Sequence, residues 1–214
     1  EVNRRGPTRY DSLPHLAALE PHDIERHLAA GGVVIDARAV TAFAVGHLPG
    51  SLSNTLRPVF GSWLGWLVEP NRALVFVLDP EQDRADLVRQ CLDVGHEHLV
   101  GELASGIEAW TGSGRAINTI PLVDPAAVTG QVIDVRQANE FASGHVPGAI
   151  NIELGAVNAA HLAPEPATVM CGHGERAMTG ASMLSARGHQ GIKVLDGGPD
   201  TWSAATGNSL DVSR

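Results

Sequence analysis

The sequence predicts an α/β fold that is built twice along the chain, and two observations lead to this expectation. The first is an internal repeat: an apolar strand pattern ending in Asp-x-Arg is followed by Phe-Ala-x-Gly-His-x-Pro-Gly, and the two copies lie 98 residues apart, as Asp36 and Asp134 do. The second is a short apolar run that ends in Cys171, passes through a glycine-rich loop and leads into a helical pattern that stops at Gly188. Such a strand, loop and helix unit is typical of α/β domains.

The repeat also predicts the domain organisation. Trp110 and Trp202 lie 92 residues apart, so the first copy contains six extra residues before its tryptophan. A chain of 214 residues has room for two small domains. We therefore expect a linker or arm over residues 1–17, which begins with an arginine-rich stretch without apolar period, one domain over residues 18–117 and a second over residues 118–214.

The elements of the first copy follow in order. Helical spacing predicts a helix in Pro21–Leu28, and apolar runs predict strands at Val33–Asp36 and Ala73–Leu78. Between these strands, Phe60–Val68 holds two of the four tryptophans. This segment is interpreted either as a local core under a short helix or as a docking face for a neighbouring domain. The next helix carries Cys91 among leucines and valines, so we expect that cysteine to pack in the core.

Composition excludes several classes of function. The formal net charge is -9 and the chain has no long Lys/Arg-rich run, which argues against binding to nucleic acid or to an anionic membrane surface. No apolar stretch reaches the roughly 18 residues that a membrane span needs, and the start shows no secretory signal pattern. The two cysteines lie in different halves and suggest no disulfide framework, so we expect a reducing, cytoplasmic setting.

Cys171 stands where a predicted strand ends and a glycine-rich turn begins. Gly172 and Gly174 let the chain curl, so backbone N–H groups of the loop and of the following helix converge on one point. Such a cluster of donors stabilises a thiolate, the nucleophilic form of cysteine. Arg176 adds a positive charge that can hold an anionic substrate. The pattern favours a nucleophile; a buried structural cysteine is the alternative.

Cys171 and Arg176 belong to a Cys-x-x-Gly-x-Arg loop that closes a strand. This loop resembles the active-site loop of the rhodanese family. The repeated Asp-x-Arg, the Phe-x-x-Gly-His-x-Pro-Gly turn and the Gly-Gly segment that precedes Trp202 are similar to the pattern of the same family. The resemblance covers roughly residues 18 to 112 and 120 to 207. It implies two tandem rhodanese-like domains, each a small parallel sheet with helices on both faces.

The resemblance also implies which residues form the site. Rhodaneses are sulfurtransferases that carry a persulfide on the loop cysteine, so Cys171 is the predicted catalytic residue, with no cofactor and no metal expected. The predicted substrate-binding residues are those of the loop and of the Asp-x-Arg turn: Gly172, His173, Gly174, Glu175, Arg176, Asp134 and Arg136. For the last two the alternative is an ion pair that holds the turn together. His173 is alternatively a bystander, and His145 is expected to bond to the backbone in a rigid turn.

The reaction that the resemblance implies is a double displacement. Cys171 takes the outer sulfur of thiosulfate or of a low-molecular-weight persulfide, and a thiol, sulfite or cyanide then removes it, so small-molecule donors and acceptors are the expected partners. An arginine-rich start, a degenerate copy and then an intact copy are similar to the C-terminal part of metallo-β-lactamase-fold/rhodanese fusion proteins. A fused or separate metallo-β-lactamase-fold domain, joined at residues 1–7, is therefore a further expected partner.

The first copy has lost its nucleophile, because Asp79 stands at the position of Cys171. Its loop contains neither cysteine nor glycine, its carboxylates would repel an anionic donor, and Pro80 removes one N–H group. We expect this copy to be inactive in sulfur transfer. Together, Asp79, Glu81 and Asp83 make at most a weak metal site; a solvated loop in which Asp79 or Asp83 caps the next helix is favoured.

Three other functions fit parts of the sequence. A binding or regulatory module would use Cys171 only as a sulfur carrier for a partner. A cysteine phosphatase on a related fold has a similar loop, but with five residues between Cys and Arg and usually a His before the Cys, whereas this chain has four and Met170. A redox-sensing thiol would need a second cysteine near Cys171.

Overall fold

The computed structural model describes residues 12–162 and 165–213. Ten strands occur in this part of the chain: β1 (Ala17–Leu19), β2 (Val33–Asp36), β3 (Leu52–Ser53), β4 (Leu74–Val77), β5 (Leu99–Leu103), β6 (Leu122–Val123), β7 (Gln131–Asp134), β8 (Ile150–Asn151), β9 (Ala167–Met170) and β10 (Lys193–Leu195). Of the predicted arm over residues 1–17, residues 1–11 lie outside the described residues. The first strand already begins at Ala17, the last residue of that arm.

Helices connect the strands. Within the described residues the α-helices are α1 (Pro21–Ala29), α2 (Val40–Val45), α3 (Phe60–Leu67), α4 (Arg84–Asp93), α5 (Gly106–Gly112), α6 (Ala138–Ser143), α7 (Glu175–Ala186) and α8 (Pro199–Thr206). Short 3-10 helices occupy Pro125–Ala127 and Leu154–Ala159. No helix among the described residues combines the length and the apolar character that crossing a bilayer requires.

The strands of the described residues form two five-stranded sheets with the same topology. The orders are β1-β5-β4-β2-β3 and β6-β10-β9-β7-β8, so corresponding strands of the two copies hold the same places. The pairs for which a register is known are all parallel. This arrangement confirms the prediction of an α/β fold made of two similar domains with parallel sheets.

The sequence explains why these segments become central strands. All four residues of β4 and of β9 are buried, as parallel strands covered on both faces must be. In contrast, β2 and β7 each end in a buried aspartate, Asp36 and Asp134. Because Asp134 lies opposite Met170 in the register, the carboxyl end of β7 adjoins the residue before Cys171. The sheet therefore brings the Asp-x-Arg turn and the cysteine loop to one edge.

The longest helix of the second copy packs closely on its sheet. Eight consecutive residues of α7, from Ala177 to Leu184, are buried. Gly180 allows the close approach, since a Cβ atom there would lie 3.1 Å from Cγ1 of Val135. A further cluster of buried side chains joins the strands to α8: Val132, Val146, Met170, Leu195 and Trp202. The cysteine loop thus begins and ends in well-packed elements.

The chain divides into two compact units. Among the described residues, one unit contains those up to Ala37 together with Leu56–Arg115, and the other contains Arg38–Thr55 together with those from Ala116 onward. The units are therefore not contiguous in sequence, whereas the predicted domains over residues 18–117 and 118–214 are. Those domain boundaries stay predictions.

Candidate active site

The candidate nucleophile lies in the short connection between β9 and α7. Cys171 directly follows the buried strand β9 and is itself only 1% exposed. The backbone N–H of Gly174 donates a hydrogen bond to Cys171 Sγ over 3.1 Å. Gly174 has φ of 97°, a left-handed conformation that glycine adopts without strain, and α7 begins at the next residue. The glycine therefore turns the chain so that the start of a helix points at the sulfur.

The loop holds the predicted binding residues in different positions. Gly172 and His173 line an adjoining cavity, and His173 is exposed. Gly174 is buried, and Glu175 is the first residue of α7. The sequence predicts several converging N–H groups from Gly172 to Arg176, and the structure shows the bond from Gly174. The start of α7 adds its positive dipole end to that single bond.

Arg176 forms a bidentate ion pair with Glu140, a residue that the sequence analysis did not single out. Its Nη1 and Nη2 donate to the two carboxylate oxygens of Glu140 over 2.7 and 2.8 Å. These hydrogen bonds are the main cause that lowers the pKa of Glu140 to about 2 and raises the pKa of Arg176. Glu140 therefore stays ionised and occupies one side of the guanidinium. The sequence signal that could have identified Glu140 is a difference between the two copies, since the first copy has Ala42 at this position.

The Asp-x-Arg turn forms a second buried ion pair. Arg136 Nε lies 3.0 Å from each carboxylate oxygen of Asp134, and Nη2 donates to Asp134 Oδ2 over 2.6 Å. The same Nη2 donates to the carbonyl oxygen of Gly144 over 2.8 Å, and Asn151 Nδ2 donates to the carbonyl oxygens of both turn residues. The pair thus fastens this turn to its neighbours, which supports the alternative of an ion pair that holds the turn together. Since Arg136 also lines the cavity, a contact with substrate stays a prediction.

A cavity of about 380 Å³ lies beside the loop and is called the loop cavity below. Its volume falls within the range of small-molecule pockets, about 300 to 1,000 Å³. The residues of its wall that matter here are Arg136, Glu140, Gly172, His173, Gly198 and Asp200. They come from the Asp-x-Arg turn, from α6, from the cysteine loop and from the start of α8. The cavity therefore adjoins two residues that directly follow the candidate nucleophile.

Gly198 is a further residue of the site whose role the sequence did not reveal. A Cβ atom at this position would lie 2.5 Å from the carbonyl oxygen of Gly172 and 2.9 Å from that of Cys171. The backbone of the Gly-Gly segment consequently touches the backbone of the cysteine loop. Thr201 fixes this segment, because its hydroxyl accepts from Gly198 N and donates to Gly198 O, each over 2.7 Å.

His145 belongs to the scaffold around the site. Its Nδ1 lies 2.9 Å from the carbonyl oxygen of Phe141, and its ring stacks on the ring of Phe141 with centroids 3.7 Å apart. Its backbone forms an antiparallel bridge with Asp211. The expected bond of His145 to the backbone is confirmed.

The corresponding loop of the first copy is filled by its own side chains. Asp79 N donates to Gln82 Oε1 over 2.9 Å, and Gln82 Nε2 donates to the carbonyl oxygen of Ala37 over 2.7 Å. Arg84, the counterpart of Arg176, donates to the carbonyl oxygens of Asp79 and Gln82 and pairs with Glu102. The amide of Asp79 and the guanidinium of Arg84 are therefore engaged within the loop. The inactivity of this copy in sulfur transfer stays a prediction.

Two expectations for the first copy are confirmed. The carboxylate of Asp83 accepts hydrogen bonds from Ala85 N and Asp86 N and so caps α4. Cys91 is fully buried, and burial raises its pKa to about 12. Both cysteines are free. In the described part of the chain, no three His, Cys, Asp or Glu side chains are grouped in a way that would hold a metal ion.

Comparisons with known proteins give the following matches. The chain matches the family described as Rhodanese-like domain twice, over residues 20–113 and 122–205. It is 35% identical over 80 residues to "Thiosulfate sulfurtransferase GlpE" of Shewanella oneidensis, covering 35% of this chain and 77% of the relative. It is 31% identical over 98 residues to the protein of that name from Pseudoalteromonas translucida, covering 44% of this chain and 90% of the relative. A solved structure of a thiosulfate sulfurtransferase from Pseudomonas aeruginosa has a TM-score of 0.41 and 20% identity, covering 93% of this chain and 44% of that chain.

Proposed function

Because this chain belongs to the family of rhodanese-like domains, we propose that its second copy is a sulfurtransferase whose nucleophile is Cys171. The observation that carries the proposal is the position of this thiol. It sits at the carboxyl end of a buried parallel strand and accepts a hydrogen bond from Gly174, the residue directly before α7, next to the loop cavity. The donors we propose are thiosulfate and low-molecular-weight persulfides. Relatives named thiosulfate sulfurtransferase support thiosulfate as a donor. The proposed acceptors are thiols, sulfite and cyanide.

In the first step the Cys171 thiolate attacks the outer sulfur of the donor. With thiosulfate, the sulfur–sulfur bond of the donor breaks and sulfite leaves with the electron pair, so that the enzyme carries a persulfide anion. The Gly174 N–H and the start of α7 stabilise negative charge at the sulfur. In the second step the acceptor, as cyanide, sulfite or a thiolate, attacks the outer sulfur. The Cys171 thiolate is then released, and charge balances in both steps.

The other predicted residues take supporting roles in this proposal. Arg176 uses two of its nitrogens for Glu140, so only its remaining N–H groups serve an anionic donor. Arg136 lines the loop cavity while its charge is compensated by Asp134. Gly172 and His173 line the same cavity, and we propose that they contact the substrate there. For Glu175 we propose substrate binding, as the sequence predicts.

The setting of the reaction is a further part of the proposal. We propose that the protein works in a reducing, cytoplasmic environment, which agrees with two free cysteines. We also propose that a fused or separate metallo-β-lactamase-fold domain supplies or consumes the sulfur, because the order of a degenerate and an intact copy is similar to that of such fusions. Co-purification of this chain with such a domain would support this partner, and failure of the two to co-purify would contradict it.

Intact-mass spectrometry tests the central proposal. The purified chain is incubated briefly with thiosulfate, and in parallel with glutathione persulfide, and cyanide or sulfite is then added. We expect a gain of one sulfur atom that the acceptor removes, that is absent in Cys171→Ser and that persists in Cys91→Ser, the matched control in the first copy. If neither donor adds a sulfur atom to the wild type, the sulfurtransferase proposal is wrong. If sulfur is gained but free acceptors do not remove it, a carrier for a dedicated partner is the better description.

A further inference from the structure

The charges around the loop cavity are almost all compensated, and the exception is negative. Arg136 is paired with Asp134, and Glu140 is paired with Arg176. Asp200 lines the same cavity, and in the residues that the structure describes its carboxylate makes no hydrogen bond or ion pair. It is exposed, so it can meet a molecule that enters. Arg136, Glu140 and Asp200 line the cavity itself, so the arginine and the two carboxylates of its wall sum to one negative charge.

The position of Asp200 at the start of α8 places this negative charge close to the cysteine loop. It is the second residue of α8, and the positive dipole end of that helix offsets about half of a unit charge, so part of the negative charge remains. Gly198, two residues earlier, touches the backbone of Gly172 and Cys171. Asp200 is thereby held on the wall that adjoins the cysteine loop. A substrate whose sulfur reaches the loop places its other end in the cavity that Asp200 lines.

The other polar groups from α8 and α6 are already used internally. The hydroxyl of Thr201 serves both the N–H and the carbonyl of Gly198. The hydroxyl of Ser143 donates to the carbonyl oxygen of Glu140 over 2.8 Å. Leu210 and Pro199 contribute apolar surface. Asp200 is consequently the carboxylate left to recognise the charge of the substrate's far end.

We propose that the loop cavity selects low-molecular-weight thiols, and their persulfides, that carry an ammonium group, and that Asp200 is the residue that determines this preference. The inference rests on the proposed sulfur transfer through Cys171. In the discharge step, the thiolate of the aminothiol attacks the outer sulfur of the Cys171 persulfide. The ammonium group meanwhile faces Asp200. A thiol with a carboxylate in place of the ammonium meets like charge at the same position.

The experiment compares two small acceptors of opposite charge. Cys171 is first loaded with sulfur, and loading is verified by intact mass. Single-turnover discharge is then measured at pH 8 and low ionic strength with cysteamine and with 3-mercaptopropionate. The rates are compared among the wild type, Asp200→Asn and Asp200→Lys. Asp93→Asn, which removes an exposed carboxylate from the end of α4, is the matched control. Because each acceptor is compared with itself across variants, its intrinsic reactivity cancels.

We expect Asp200→Asn to slow discharge to cysteamine and to speed discharge to 3-mercaptopropionate, changing the ratio of the two rates by about three- to tenfold. Asp200→Lys should change the ratio further in the same direction, 0.5 M salt should weaken the effect, and Asp93→Asn should leave the ratio unchanged. A loaded wild type whose ratio is the same in all four proteins overturns the inference and leaves the sulfurtransferase intact. Failure of the wild type to load overturns both.

Discussion

Replacing Gly198 by alanine should disable the cysteine loop while the fold survives. The added Cβ would lie 2.5 Å from the carbonyl oxygen of Gly172, whereas carbon–oxygen contacts in proteins settle at about 3.3 Å. The two backbones must therefore separate by about 0.8 Å. A displacement of about 1 Å at a reacting group can cost about 100-fold in rate, and overpacking costs about 1–3 kcal/mol of stability. We expect Gly198→Ala to slow sulfur loading of Cys171 by roughly 100-fold.

The protein is mixed with thiosulfate, the reaction is quenched at intervals, and the intact mass gives the rate of loading. Stability is measured by urea unfolding. Gly155→Ala is the matched control, because a Cβ atom there meets nothing within 4 Å. It should load at the rate of the wild type. The reasoning is refuted if Gly198→Ala is folded and loads as fast as the control. It is also refuted if the slower rate is explained entirely by an unfolded fraction.

Two further predictions follow from the ion pair and from the filled loop. Glu140→Gln should cost about 1 kcal/mol at pH 7: the lowering of the Glu140 pKa from 4.5 to about 2 corresponds to roughly 3 kcal/mol, and we discount it because that side chain is 36% exposed. Since the pKa is lowered in the folded state, the difference from wild type in urea unfolding should be full above pH 4.5 and shrink toward pH 2, and a pH-independent difference would contradict this account. Asp79→Cys in a Cys171→Ser background should gain no sulfur by intact mass, because the amide at the position of Gly174 is that of Gln82, and it already donates to the carbonyl oxygen of Asp79; a gain would contradict this reason.

The strands and the nucleophile loop could be predicted from the sequence because their signals are local. Apolar runs with β-branched residues mark central parallel strands, and β2 occupies Val33–Asp36 as predicted. The second predicted strand, Ala73–Leu78, is one residue shorter at each end. A cysteine followed by glycines at a strand end indicates a tight turn before a helix, and the structure has that turn at Gly174.

The contacts that determine the chemistry could not be predicted in the same way. Glu140 and Arg176 are 36 residues apart, and nothing in the spacing of either motif says that α6 lies beside the cysteine loop. The role of Gly198 depends on how closely two backbones approach, which the sequence records only as a glycine. For the first copy the sequence predicts repulsion by carboxylates, and it does not predict that the uncharged side chain of Gln82 bonds the amide of Asp79 and the carbonyl oxygen of Ala37. Each of these is a tertiary contact.

The stacked turn described for His145 has a counterpart in the other copy. Phe43 and His47 stack with centroids 3.8 Å apart, and His47 Nδ1 lies 2.9 Å from the carbonyl oxygen of Phe43. One copy has kept the cysteine and the other has not, yet the turn is the same in both. The chain thus contains its own comparison between what a domain needs in order to fold and what it needs in order to react. Randomising this turn should prevent folding in either copy. Randomising the strand-to-helix loop should abolish sulfur transfer in the second copy and be tolerated in the first.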